Sequence, residues 1–243
     1  MMQRVAALVA AAVVAAACGS SEFLRQYEYE EDIHISLNGT ATVYVNSSLE
    51  ALERLRGAKL ATAGTSRVDT ERVRAFFSTP VSRVVRVTRS HRGGRPFVHV
   101  RVEVDDIHRL AEAAPFAWST YRFERQGDLY VYKQIVGRSA EKDAEDDGDA
   151  GWSGRELVVF RLHVPSKIAF HNTLPGNLMR GNILVWEQSF EERRRGTPLT
   201  LEARMHTESI LNSTLWLFGW TLVVVVLMFA LMIWWLLRHK GTV

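Results

Sequence analysis

Tyr27-Glu28-Tyr29-Glu30-Glu31-Asp32-Ile33-His34-Ile35-Ser36-Leu37-Asn38-Gly39 is the stretch on which the fold turns. It alternates with period two. Tyr27, Tyr29, Glu31, Ile33, Ile35 and Leu37 point one way, while Glu28, Glu30, Asp32, His34 and Ser36 point the other. That pattern predicts a strand with one dry and one wet face, as in an antiparallel sheet. Asn38-Gly39 is a strong hairpin signal, and Thr40 to Asn46 returns as the second strand.

The same period continues outward. Val98, Val100, Val102 and Val104 alternate with His99, Arg101 and Glu103, and a turn-rich 91–96 segment joins this arm to Val81–Ser90. Further strands are predicted over 116–125, 129–136, 155–164, 183–188 and 199–206. Short helices interrupt them. Ser47 or Ser48 caps Leu49–Arg56, which Gly57 closes; Asp69 caps Thr70–Ser78; Asp105 or Asp106 caps Ile107 to about Ala113. The class is α+β: a mainly antiparallel sheet with two or three short helices.

Both ends of the chain differ from this middle. Ile210 to Leu237 is a run of 28 residues without a charge, followed by Arg238-His239-Lys240. Such a run predicts a membrane-spanning helix. Trp216 and Trp234 lie 18 residues apart, roughly 27 Å at helical rise, which suits an aromatic belt at each face of a ~30 Å hydrocarbon layer. The basic tail places residues 238–243 on the cytoplasmic side, and residues 18–209 outside it. At the other end, Arg4 precedes the apolar run Val5–Ala17, the form of a secretory signal over 1–17. It runs into Ala15-Ala16-Ala17-Cys18-Gly19, where the single cysteine of the chain stands in the position of a lipoprotein acylation site; ordinary cleavage after the alanines is the alternative.

Composition excludes some functions. Removing Arg4, Arg238 and Lys240 from the 30 basic residues leaves 27 against 27 acidic ones in 18–209, so the domain has no basic excess for nucleic acid. The 8 histidines show no metal-ligand spacing, and no cofactor motif, His-Glu-x-x-His, nucleophile elbow or glycine-rich phosphate loop occurs. Aligned as a calcium loop, the acidic segment 141–149 places Gly154 where a bidentate carboxylate is required. The expectation is therefore a chain with no catalytic residues, metal or cofactor.

One stretch is unusual: Val164-Pro165-Ser166-Lys167-Ile168, then His171-Asn172, then Gly181-Asn182 and Trp186. With the candidate acylation site, the Gly39-Thr40 hairpin and the terminal span with its basic tail, this pattern resembles the LppM-type bacterial lipoproteins. Thr173 to Arg180 stands as an insertion against their tighter spacing. The resemblance implies a domain similar to lipid-transfer folds, able to bind an envelope lipid or glycolipid. Phe76, Phe77, Phe116, Trp118, Phe170 and Trp186 are the candidate lining residues for such an amphiphile; each also suits a plain core. Two other readings stay open. One is an adaptor that holds a protein partner at the membrane through an exposed strand edge, and the other is an unrecognised enzyme.

Overall fold

A computed structural model describes residues 27–58, 60, 69–139, 155–179 and 181–239. The signal segment, Cys18 and the acidic loop lie outside them. Eleven strands and four α-helices follow one another among the described residues, with two 3₁₀ segments at Ile107–Glu112 and Ala114–Phe116. Strands β1 (Tyr27–Ile35), β2 (Ala41–Ser48), β3 (Arg83–Arg92), β4 (Arg95–Val104), β7 (Leu157–His163), β9 (Leu178–Met179) and β10 (Ile183–Ser189) form a seven-stranded sheet, ordered β3-β4-β2-β1-β7-β10-β9. Strands β5 (Ser119–Gln126), β6 (Leu129–Val136), β8 (Ser166–His171) and β11 (Leu199–Ser209) form a four-stranded sheet, ordered β5-β6-β11-β8. The α+β class with mainly antiparallel pairing holds. The strands divide between two sheets, and β1 pairs in parallel with β7, with His34 opposite His163.

The local signals act where the sequence places them. Gly39 takes φ 87° in the turn between β1 and β2, and Thr40 N–H donates to Asn38 Oδ1 at 3.1 Å. Ser48 caps α1 (Leu49–Arg56) by accepting from Ala51 N–H, and Gly57 ends it in the left-handed region. Asp69 caps α2 (Thr70–Phe77) through two backbone donors. Ile107–Glu112, read as an α-helix in the sequence, is a 3₁₀ segment capped by Asp106. Helix α3 (Phe190–Arg194) carries a full capping box between Ser189 and Glu192.

The two sheets share one core. Ile33, Val43, Val100, Phe160 and Leu184 face Tyr132, Leu201, Ala203 and Met205, all buried. Strand β11 runs directly into α4 (Ile210–His239) without an intervening loop. Within α4, Leu215–Leu236 is long and apolar enough to cross a membrane, and none of it is buried against the rest of the protein.

Candidate functional site

Strand β1, in the middle of the seven-stranded sheet, carries four acidic residues, Glu28, Glu30, Glu31 and Asp32. On its inner face Glu31 is 1 % exposed and lies between the two sheets. A carboxylate there needs donors on every side, since an unpaired buried charge costs several kcal/mol. Four side chains supply them. Tyr29 Oη donates at 3.0 Å and Arg56 Nη2 at 3.2 Å to Oε2; Tyr121 Oη at 3.1 Å and Gln134 Nε2 at 2.9 Å donate to Oε1. Arg56, at the last turn of α1, also donates to Tyr29 Oη at 2.9 Å and stacks 3.4 Å from the centre of the Trp118 ring. Tyr132 Oη donates to Gln134 Oε1 at 2.8 Å and so orients that amide. Burial pushes the phenols of Tyr29, Tyr121 and Tyr132 well above the ordinary tyrosine range, keeping them neutral donors.

A second guanidinium enters this interior without a counter-charge. Arg193 of α3 is fully buried, and its guanidinium carbon lies 5.8 Å from the Trp118 ring centre. Its one hydrogen bond runs from Nη1 to the Val136 carbonyl at 3.4 Å; Nε and Nη2 have no acceptor. Arg56 Nε and Trp118 Nε1 are likewise buried and unpartnered. Burial, then repulsion from Arg56, pulls the Arg193 pKa down to about 10, so it is still a cation at neutral pH. Glu31 is saturated by its four donors, and no carboxylate among the described residues ion-pairs with Arg193.

The aromatic candidates divide around this centre. Phe76 meets Phe77 edge-on at 5.2 Å, Phe77 meets Phe116 at 5.8 Å, and Arg56 lies 6.0 Å from the Phe116 ring centre. Trp118 completes that group, edge-on to Tyr29 at 5.3 Å. Its backbone is pinned too: Gly137 N–H donates to the Trp118 carbonyl at 2.6 Å. The structure thus brings Phe116 and Trp118 to the arginines, with Phe77 and then Phe76 packed behind Phe116. Trp186 belongs to the core under β10, where its Nε1 donates to Asn172 Oδ1 at 2.9 Å. Phe170 is 45 % exposed on β8, an edge strand, with Arg204 over its ring at 5.1 Å.

The outer face of the seven-stranded sheet is less wet than alternation suggests. Glu28 is fully buried and Glu30 is 9 % exposed, because arginines fold over them. Arg95 lies 3.1 Å from Glu28, while Arg161 at 2.8 Å and Arg92 at 3.4 Å flank Glu30. Burial raises the Glu28 pKa despite Arg95. Further along this face Asp32, His34 and His163 converge, their potential ligand atoms all within 4.8 Å of one another. Spacing hides this group, because its two histidines lie more than half the chain apart and meet through the parallel β1–β7 pair. Glu31, by contrast, was visible: a carboxylate at an inward position requires buried donors.

No family model matches the sequence, and no curated protein matches it. Among solved structures the chain is similar to the folded domain of the LppM protein of Mycobacterium tuberculosis, determined by NMR. The TM-score is 0.40 and the identity 12%, over 75% of this chain and 91% of that one.

Proposed function

We propose that this chain is a membrane-held, non-enzymatic lipoprotein whose domain, outside the cytoplasm, binds one anionic amphiphile at the bilayer surface. The observation that carries the reading is Arg193, buried with two unpartnered donors beside Arg56 and Trp118. A phosphate or carboxylate headgroup placed there accepts those donors and offsets the cationic excess. Of the neighbouring aromatics, Phe76 is only partly buried and is the one with surface to offer the apolar half of such a ligand, while Phe77 and Phe116 are fully buried behind it. Helix α4 supports placement at the lipid supply, and acylation of Cys18 adds a second anchor.

Mass spectrometry of the chain purified from its native membrane tests this. One retained anionic lipid per chain, lost in Arg193→Met, is the expected result. No lipid on the unaltered chain, or undiminished lipid on the variant, overturns the reading. Release of the intact polypeptide by alkaline carbonate overturns the membrane placement.

One feature favours an adaptor as the second reading. Edge strand β9 and the turn before it expose Leu174, Leu178 and Met179 at 71, 48 and 41 %. Exposed apolar side chains on a strand edge suit capture of a protein partner. Cross-linking from position 174 in intact membranes separates the two: a protein adduct supports the adaptor, and a lipid adduct does not.

A further inference from the structure

We infer that Asp32, His34 and His163 form a solvent-reachable site for a divalent transition-metal ion of the zinc type. The strands dictate the convergence. His34 and His163 are register partners on β1 and β7, and Asp32 lies two residues before His34, on the same face. The imidazoles stack at 3.6 Å between centres with 15° between planes. His163 Nε2 is 2.8 Å, and His34 Nε2 3.7 Å, from Asp32 Oδ1. Ligands on a zinc ion at ~2.0–2.1 Å sit about 3.3–3.4 Å apart in a tetrahedron, so the two separations straddle the required edge.

A second observation points to a ligand. Asp32 Oδ1 and His163 Nε2 are buried atoms without a hydrogen-bond partner, although they approach one another to 2.8 Å. A buried polar atom without a partner costs about 1–3 kcal/mol, and a cation between the two satisfies both.

The donor set selects the class. Two imidazoles and one carboxylate suit zinc, copper, nickel or iron(II), and disfavour calcium and magnesium, which take oxygen ligands. Three protein ligands leave at least one coordination position, and His34 is 43 % exposed at its side chain, so that position faces solvent. The charges of Arg161 and Arg101 act on Asp32 and His34 respectively. Arg161 is already paired with Glu30 at 2.8 Å, which reduces its opposition to a bound ion. One ring turns out of this stack to bring both nitrogen lone pairs onto one ion; Tyr44, its ring centre 5.1 Å from that of His34, is the further aromatic neighbour of that ring.

The test uses the full chain in detergent, stripped with chelator and titrated with Zn²⁺ alone. One ion taken up per chain is expected, with affinity reduced at least tenfold in His34→Gln and in His163→Gln, and unchanged in His91→Gln, an exposed residue near the end of β3. Absence of saturable uptake, or retained affinity in both variants, overturns the site. A measurement on the unaltered chain covers variants that fail to fold. Bound Cu²⁺ is expected to show two coordinated imidazole nitrogens by electron spin-echo modulation, and one or none overturns the assignment.

Discussion

The two faces of strand β1 carry similar charges and treat them differently. On the outer face Glu28 and Glu30 each meet arginine, and the charges balance. On the inner face one carboxylate, Glu31, is saturated by Tyr29, Arg56, Tyr121 and Gln134, while Arg193 lies nearby with unused donors. Balanced buried pairs are what a sheet needs to close over its own polar residues. An unbalanced buried cation works against folding, and a fold retains one at a cost that a bound anion removes. The outer face balances its carboxylates at Glu28 and Glu30 with arginines, while the inner face keeps a cationic excess, the feature on which the proposed anion binding rests.

Substitutions sharpen that contrast. The largest effect is expected from Glu31→Gln, which leaves Arg56 as a second uncompensated interior cation: a loss of about 3–5 kcal/mol in urea unfolding of the full chain in micelles. Arg193→Met should act in the opposite direction, raising stability by roughly 1–3 kcal/mol in ligand-free protein while abolishing amphiphile retention. A stability loss in that variant, with ligand retained, would move Arg193 to the architectural side. Glu30→Gln, on the balanced face, should cost about 1 kcal/mol, since Arg161 and Arg92 keep partial solvent contact. The smallest expected effect involves His99, held between Ser90 and Asn46 at 2.7 and 2.9 Å. Burial, then Arg92, lowers its pKa below the ordinary 6.5. Protonation thus favours the unfolded chain, so stability is full above pH 6.5 and falls on acidification below it. His99→Gln should flatten that slope in thermal melts taken across pH 5 to 7.

Local rules were legible and pairings were not. The caps at Ser48, Asp69 and Asp106, the turn at Gly39 and the strand periods follow from short-range chemistry that neighbouring residues contain. The division into two sheets depends on which strand accepts which, a choice made by core shape over long separations. The wet face of β1 dried because Arg92, Arg95 and Arg161 arrive from β3, β4 and β7, and no window of sequence holds all of them. Residues 164–186, unusual in sequence, contain the short strands β8 and β9 as well as the start of β10, and in them Asn182 adopts φ 59°. Of the candidate lining residues, Trp118 stands closest to chemistry, through the Arg56 stack; Arg193 carries no signal in the sequence because the charged run Phe-Glu-Glu-Arg-Arg reads as a solvated helix face.

The unbroken passage from Ser209 to Ile210 has a mechanical corollary. Only the residues 210–214 precede the apolar segment that begins at Leu215, about 8 Å of helical rise. A head mounted on so short and stiff a stem keeps one tilt and one height, and it turns when the stem turns. On the proposed membrane placement, torque applied to the helix would arrive at β11, and through it at the sheet that holds Tyr121 and Gln134 against Glu31.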